Sequence, residues 1–423
     1  MQPSPLANVC DRVKSVKQNP LDDSFSVHRY DSRSKELKDF MDFTYLDNNA
    51  TTQPAPEVVD AINDALTQNW ANPNSVHRFG QMARRLVDES RASVARLIGC
   101  QDAELFFTGC GTESVNTAIR GLLLGRTPRR KIITSSVEHS ATREFVASLG
   151  RDGFEIVSID VDQSGHLDLD SFTKHLNDDV ALVSLMWANN ETGVLFPIKQ
   201  LAALCKEKKI PIHTDMTQCV GKISVDVVDL GVDCASFAAH KFHGPKGVGA
   251  LYTRRGVRLR PYIIGGPQER GRRGGTENVP GIVGMGVSAR LAREHLGEMD
   301  LVREKRDRLE SNILERIPDS RVNGDRINRV PNTTNIGFAK LQAEAILLLL
   351  SEQGICASAG AACSSGSLEP SHVLKAMNID PVYAFGAIRF SLSRFTTDAE
   401  IDRCLNVLPT VIEKLRKVMP MGV

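Results

Sequence analysis

Short apolar segments alternate with longer amphipathic ones through the first two thirds of the chain. Apolar runs bounded by polar residues are typical of buried strands, and they occupy residues 105–109, 131–136, 154–160, 181–187, 210–215 and 234–241. Apolar residues three or four apart predict helices, over residues 57–68, 81–98, 112–124, 140–149, 170–177 and 197–208. This alternation predicts βαβ units and an α/β fold with a mainly parallel sheet.

The periodicity changes in the last third of the chain. A long charged helix is predicted over residues 300–320, and a smaller α+β unit follows that ends in a helix over 397–418. At the other end, 43–47 reads as a short strand. We therefore predict a loosely ordered arm (1–42), a large domain (43–300, its first residues free to pack against the small domain) and a small C-terminal domain (301–423).

Composition is that of a globular protein, with 41% hydrophobic and 24% charged residues. The net charge of +1 argues against a nucleic-acid partner, which would need a basic surface. The densest apolar run, AILLLL at 345–350, is too short for a membrane span of about 20 residues. Residues 1–40 lack the apolar segment of a signal peptide, and their acidic residues fit a transit peptide poorly. We therefore expect a cytoplasmic protein with no membrane or nucleic-acid partner.

The nine cysteines form no CxxC pair, which leaves zinc-ribbon and thioredoxin-like sites without support. Scattered cysteines in a chain of 423 residues indicate free thiols in a reducing compartment.

Polar residues follow each predicted strand, where ligands of open parallel sheets bind. Gly111 and Thr112 open a helix and suit an anion, although an ordinary capped turn would look the same. His139 follows the strand 131–136, and a structural histidine is the alternative. Asn190 lies in a polar string after 181–187, which local Asx-turn chemistry would also explain.

Two charged residues at strand ends are harder to explain structurally. Asp215, followed by Gln218, could bind a metal, a ribose or a cationic ring, but too few carboxylates lie near it for a metal. Lys241 leaves a buried strand for a Gly-Pro loop, where desolvation would favour the free amine and Schiff-base chemistry; a solvated loop lysine is the alternative. An anion site, an Asp, a His and a buried Lys together are what pyridoxal phosphate requires.

These motifs resemble the nitrogen-fixation type (group I) of cysteine desulfurases, in the class V aminotransferase family of pyridoxal-phosphate enzymes. The resemblance spans about residues 43–418 and rests on YLDNNATT (45–52), FTGCGTES (107–114), VEHSA (137–141), NNETG (189–193), HTDMTQ (213–218), HKFHGPKGVGALY (240–252), RRGGTENVPGIVG (272–284), ASAGAACSSGSLEPSHVL (357–374) and IRFSLSRFTT (388–397). It implies the fold type I of these enzymes, with a mainly parallel seven-stranded sheet in the large domain and a smaller α+β domain.

The resemblance also implies an activity and partners. The enzyme would convert L-cysteine to L-alanine and carry the sulfur as a persulfide, supplying iron–sulfur clusters or other sulfur-containing cofactors. It would act as a homodimer and pass sulfur to an acceptor or iron–sulfur scaffold protein.

Site residues follow from the resemblance, motif by motif. Lys241 would form the Schiff base and later move protons, while His139 would stack on the ring and assist. Asp215 would pair with the pyridine nitrogen, and Gln218 and Asn190 would lie near the phenolic oxygen. The phosphate would be held by three residues of this chain and one from the partner subunit, namely Gly111, Thr112, His240 and the partner's Thr276. The substrate carboxylate would bind Arg389, with Asn190 beside it; no metal is expected.

Cys363 lies in a run of small residues without periodicity, ASAGAACSSGS at 357–367, which predicts a mobile loop. The resemblance makes it the sulfur acceptor. One position departs from the family pattern, because Ala238 stands where a phosphate-binding Ser is frequent. We expect a weaker hold on phosphate, or compensation by Ser236 or by the loop at Cys110.

Three alternatives stay open. A selenocysteine lyase shares the fold and the cofactor, but the SLEPSHVL string after the Cys363 loop favours a desulfurase. A plain class V aminotransferase would lack that loop. A scaffold protein without activity would not need the five residues that the chemistry uses, and all five are present: Lys241, Asp215, His139, Cys363 and Arg389.

Overall fold

A computed structural model describes residues 43–124, 128–359 and 369–418. The predicted arm over 1–42 and the predicted position of Cys363 lie outside these ranges. The twelve strands of the described residues are β1 (Thr44–Tyr45), β2 (Leu105–Thr108), β3 (Lys131–Ser135), β4 (Glu155–Ile159), β5 (Val180–Met186), β6 (Ile212–Asp215), β7 (Cys234–Ala238), β8 (Gly249–Thr253), β9 (Ser320–Val322), β10 (Thr333–Phe338), β11 (Ile355–Cys356) and β12 (Ala387–Ser391).

Thirteen α-helices alternate with these strands in the described ranges. They are α1 (Pro56–Thr67), α2 (Arg78–Ile98), α3 (Gly111–Leu123), α4 (Ser140–Arg151), α5 (Leu169–His175), α6 (Ile198–Glu207), α7 (Val227–Leu230), α8 (Val279–Glu294), α9 (Met299–Arg316), α10 (Ala343–Glu352), α11 (His372–Ala376), α12 (Pro381–Ala384) and α13 (Asp398–Val418).

Seven strands form one sheet in the order β2-β8-β7-β6-β5-β3-β4. The pairs from β7 to β4 are all parallel, whereas β8 is antiparallel to both β2 and β7. This confirms the mainly parallel seven-stranded sheet. The sequence patterns missed β8 as a strand, because its residues follow directly on the glycine-rich loop of residues 244–249. Apolar clusters cover both faces of the sheet, as expected of parallel strands.

A second, three-stranded antiparallel sheet has the order β12-β10-β9. Its buried residues Ile336, Phe338, Ile388 and Phe390 form a separate apolar cluster with the inner faces of α9, α10 and α13. The short β1 pairs in parallel with β11, and Leu46 after β1 is buried in the same cluster. This arrangement brings the start of the described chain beside β12, which carries Arg389.

Two predicted boundaries were wrong, each for a local reason. The helix expected over 300–320 ends at Arg316, because Pro318 disfavours helical geometry at the residue before it; Ile317 is extended, with φ −118° and ψ 99°. The strand expected over 234–241 ends at Ala238, where the chain turns through one short 3₁₀ segment, Ala239–Lys241. That turn moves Lys241 off the sheet and toward its edge.

None of the helices in the described ranges is long and apolar enough to cross a membrane. The seven cysteines in those ranges are free thiols.

Candidate active site

One cavity of about 540 Å³ lies at the carboxyl ends of the parallel strands. Its wall includes nine residues singled out from the sequence: Gly111, Thr112, His139, Asn190, Asp215, Gln218, His240, Lys241 and Arg389. Thr276 is exposed and is not part of this wall. Because strand ends of a parallel sheet meet at one edge, residues far apart in sequence are brought together here.

Lys241 presents its amine at the cavity wall. The 3₁₀ turn after β7 positions it, and Nζ donates to the carbonyl oxygens of Asn49 at 2.7 Å and Ala50 at 2.8 Å. Both carbonyls belong to the polar turn after β1. The amine is therefore aimed by two fixed acceptors from a distant part of the chain.

Asp215 ends β6 and is buried, with 8% of its surface exposed. Its Oδ1 accepts a hydrogen bond from the N–H of Thr217 at 3.0 Å. A buried carboxylate that faces a cavity favours a cationic group opposite it. Asp215 can therefore keep a ring nitrogen protonated.

His139 caps the helix α4, where Nδ1 accepts from the N–H of Ala141 at 3.1 Å. Burial lowers the pKa of the His139 ring, with Asp215 opposing that shift and Lys241 adding to it. The ring is therefore neutral, and with Nδ1 accepting, its proton is assigned to Nε2. This places a flat, uncharged ring on the cavity wall.

The helix α3 begins at the cavity with Gly111. Cys110 caps it, and its Sγ accepts from the N–H of Glu113 at 3.4 Å. The first N–H groups of a helix have no partner inside the helix and attract anions. A side chain at Gly111 would lie 3.4 Å from the Cβ of Ala238 and 3.9 Å from Oγ1 of Thr217.

Ala238 therefore lies directly beside the helix start, as expected for a phosphate-binding position. Ser236 does not compensate for it, because it is fully buried and its Oγ bonds Nε2 of His213 at 3.0 Å. The hydroxyl that does lie near Gly111 belongs to Thr217, which also lines the cavity.

His240 completes this end of the cavity. Its Nδ1 lies 3.2 Å from Oγ1 of Thr51, and its carbonyl accepts from the N–H of Thr52. Burial, assisted by Lys241 and Lys246, lowers the pKa of His240 to about 4. The ring is neutral at physiological pH, so one of its nitrogens can donate a hydrogen bond and the other can accept one.

Arg389 lies on β12 and is 2% exposed. Its guanidinium donates to Oδ1 of Asp47 at 2.6 Å and to the carbonyl of Asn190 at 3.0 Å. The fork of a guanidinium matches a carboxylate better than an ammonium does. Asp47 was missed in the sequence, although it directly precedes the NNATT turn.

Two further buried carboxyls were missed, and each stands beside a residue that was found. Glu138 precedes His139, and burial raises its pKa to about 8. Glu191 follows Asn190, and burial raises its pKa to about 7. Ser371 donates to Oε2 of Glu191 at 2.6 Å, and Nε2 of His372 donates to the carbonyl of Glu138 at 3.0 Å. These bonds tie the start of α11 to the cavity.

The donor set fits pyridoxal phosphate. A helix start suits the phosphate, a buried carboxylate suits the pyridine nitrogen, a neutral ring can contact the ring face, and an amine can join the aldehyde. The cavity volume also lies within the roughly 300–1,000 Å³ of small-molecule sites. No group of His, Cys, Asp and Glu side chains in the described ranges could hold a metal ion.

Known proteins are similar to this chain over most of its length. The family Aminotransferase class-V matches residues 44–404. A cysteine desulfurase of Trichormus azollae is 50% identical over 382 residues, which cover 90% of this chain and 95% of that protein.

Solved structures are similar as well. A structure titled NifS-like protein has a TM-score of 0.83 and 37% identity, covering 88% of this chain and 100% of its own. A structure titled SspA in complex with cysteine has a TM-score of 0.73 and 30% identity, covering 84% of this chain and 99% of its own.

Proposed function

The chain belongs to the class-V aminotransferase family of pyridoxal-phosphate enzymes, and we propose that it acts as a cysteine desulfurase. It converts L-cysteine to L-alanine and carries the sulfur as a persulfide on its own thiol. The observation that carries this proposal is one cavity that combines the Lys241 amine, the Asp215 carboxylate and the Arg389 guanidinium. The relatives named cysteine desulfurase and the similar structure titled as a complex with cysteine support the choice of substrate.

The cofactor is held by residues on the sheet side of the cavity. Lys241 would bind it covalently, Asp215 would pair with the ring nitrogen and His139 would contact the ring. Gln218 and Asn190 would lie near the phenolic oxygen, and Gly111, Thr112 and His240 would hold the phosphate, with the Thr217 hydroxyl near Gly111. When bound, pyridoxal phosphate supplies an electron sink for the carbon next to the substrate amine.

The substrate is oriented by Arg389, which is held by Asp47 and by the carbonyl of Asn190. A bidentate grip on the carboxylate fixes the α-carbon relative to the Lys241 amine. Nζ of Lys241 then takes the α-proton and later returns a proton to the product. The neutral ring of His139 is placed to assist that transfer.

Cys363 is the proposed sulfur acceptor. Its thiolate attacks the substrate sulfur, so that a sulfur–sulfur bond forms and the carbon–sulfur bond breaks. The electron pair of the broken bond stays with the carbon fragment, which is protonated to alanine. One thiol and one cysteine give one persulfide and one alanine, and no external oxidant is needed.

The remaining partners are also proposals. A second copy of the chain would supply Thr276 to the phosphate, consistent with the exposure of this residue in one protomer. An acceptor or iron–sulfur scaffold protein would take the persulfide sulfur for cofactor synthesis. The cytoplasm is the proposed location, since thiols stay reduced there.

The test is to incubate purified protein, loaded with pyridoxal phosphate, with cysteine and a thiol reductant, and to measure alanine and sulfide. We expect equal amounts of the two products. Alanine without sulfide, or transfer of the amino group to a keto acid as the main reaction, would overturn the proposal. Selenocysteine in a parallel reaction separates the lyase alternative, which predicts turnover of selenocysteine with negligible turnover of cysteine.

Cys110 provides a sharp control for the acceptor, because it is the described cysteine that lines the cavity. Cys110→Ser keeps an oxygen that can cap α3, whereas Cys363→Ala removes the proposed acceptor. We expect sulfide release to survive the first change and to fall to near background in the second. The opposite pattern would assign the acceptor role to Cys110.

A further inference from the structure

Lys222 is a buried amine that none of the roles above uses. It lies in the turn after β6 and is 5% exposed. Its Nζ donates to Oε1 of Gln218 and, at 2.9 Å, to Oδ1 of Asn49. Both partners are neutral amides, and no salt bridge within the described ranges includes Lys222. Burial, with Lys241 adding to it, lowers the pKa of Lys222 well below the ordinary lysine value. The amine is thus held by hydrogen bonds to two amides and not by a counter-ion, so its position needs a reason.

The reason lies in the orientation of the Gln218 amide. With Oε1 accepting from Lys222, Nε2 is turned to the carbonyl of Asn49, to which it donates at 3.0 Å. The same carbonyl accepts from Lys241 at 2.7 Å. A flipped amide would lose the bond from Lys222 to Oε1 and would set its own oxygen against the carbonyl oxygen of Asn49, which is repulsive. Lys222 and the carbonyl of Asn49 therefore fix together which end of Gln218 carries the donor toward Lys241.

Asn49 holds the other side of this arrangement. Its Oδ1 accepts from Lys222 and from Nδ2 of Asn332 at 3.1 Å, and its own Nδ2 donates to Oγ1 of Thr333 at 2.8 Å. Asn49 is 1% exposed. With its side chain bonded on both ends, it cannot rotate to release the amine. The Lys222, Gln218 and Asn49 set is thus held on every side, and Gln218 and Asn49 are its members on the cavity wall.

We propose that Lys222 is a positioning residue that presents the N–H end of Gln218 to the phenolic oxygen of the bound cofactor. This inference rests on the proposed function, because it assumes pyridoxal phosphate in the cavity. An ionised phenolic oxygen needs a donor, and an amide offers one only in the orientation that Lys222 imposes. Lys222 acts through Gln218 and does not touch the substrate.

The test is a pH titration of the visible absorption of the bound cofactor in wild type, Lys222→Met and Lys222→Gln. Without a donor aimed at the phenolic oxygen, that oxygen would hold more tightly the proton on the neighbouring nitrogen of Lys241. The absorption midpoint of Lys222→Met should therefore rise by about one pH unit, the size expected for a lost charge-assisted hydrogen bond. Lys222→Gln can still donate to Oε1 of Gln218, so its midpoint should stay closer to that of the wild type.

Gln218→Glu supplies an independent arm. Glu at this position can pair with Lys222 but offers no N–H to the cavity, so its midpoint should rise at least as far as that of Lys222→Met. The other ionisable groups around the cavity and beside Lys222 are unchanged in every variant: Asp215, Lys241, Arg389, Arg143, Lys375, His139, His240, His372, Glu138, Glu191, Glu369, Cys110 and Cys219. Differences between the variants therefore report on the Lys222 and Gln218 pair.

The outcomes separate this inference from the proposed function. Wild-type protein that gains no visible absorption with pyridoxal phosphate would refute the proposed function. A wild type that binds it, with Lys222→Met titrating at the same midpoint, would refute the role of Lys222 alone. Equal shifts in Lys222→Met and Lys222→Gln would also refute it, because charge rather than orientation would then be the cause.

Discussion

The two walls of the cavity are built in different ways. On the sheet wall, Asp215 and His139 are held by the N–H groups of residues two positions further along the chain. On the opposite wall, Arg389 is held by Asp47, 342 residues away, and Ser371 bonds Glu191, 180 residues away. The sheet wall is therefore set by local structure once the strands form, whereas the opposite wall exists only when distant segments have packed.

Lys241 belongs to the sheet wall by position but depends on distant carbonyls, and it carries the largest predicted effect. Lys241→Ala should remove the amine that binds the cofactor and moves protons, and alanine formation should fall by about 10³-fold or more. Initial rates of alanine formation check this. Circular dichroism controls for the fold, since the substitution touches no core cluster; a variant that retains a tenth of the activity would contradict the role.

Arg389→Lys tests the opposite wall. Lysine keeps the positive charge but loses the fork, so kcat/KM for cysteine should fall by roughly 10- to 100-fold, mostly through KM. The matched variant Asp47→Asn keeps a hydrogen-bond acceptor for Arg389 and removes only the carboxylate charge, so its loss should be smaller. Steady-state kinetics at several cysteine concentrations check both variants. An unchanged KM in Arg389→Lys would show that the carboxylate binds elsewhere.

Glu138→Gln tests the buried carboxyl beneath the sheet wall, and its effect is on stability. Burial raises the pKa of Glu138 to about 8, from 4.5. Because the folded state keeps a proton that the unfolded chain releases, wild-type stability falls as pH rises from about 4.5 to about 8. That loss should be smaller in Glu138→Gln by about 2 kcal/mol between pH 6 and 8.5. Urea denaturation at both pH values measures the free energy of unfolding. An equal change in that free energy between the two pH values in wild type and in Glu138→Gln would contradict the raised pKa.

The difference between the walls also explains what could be predicted from the sequence. Strand ends and their following residues are local patterns, so Asp215, His139 and Lys241 were found by position alone. The partners of Arg389 and of Lys241 were not, because β1 and the NNATT turn meet β12 and β7 only through long-range packing. Lys222 gave one signal that was overlooked: a lone lysine in the apolar stretch of residues 219–223.

The antiparallel strand β8 was missed for a related reason. Its residues follow a glycine-rich loop and read as part of a motif, and only its pairing with β2 and β7 defines it as a strand. The end of α9, by contrast, was predictable from Pro318 and was overlooked.

The central claim is that this cavity moves sulfur from cysteine to Cys363. The most direct test is a single turnover of the loaded enzyme with limiting cysteine and no reductant, followed by peptide mass spectrometry and alanine quantification. The account predicts one alanine for each cysteine consumed and a mass increase of one sulfur atom on the peptide that contains Cys363, absent in Lys241→Ala. Alanine formed with the added sulfur on another cysteine, or on none, would contradict it.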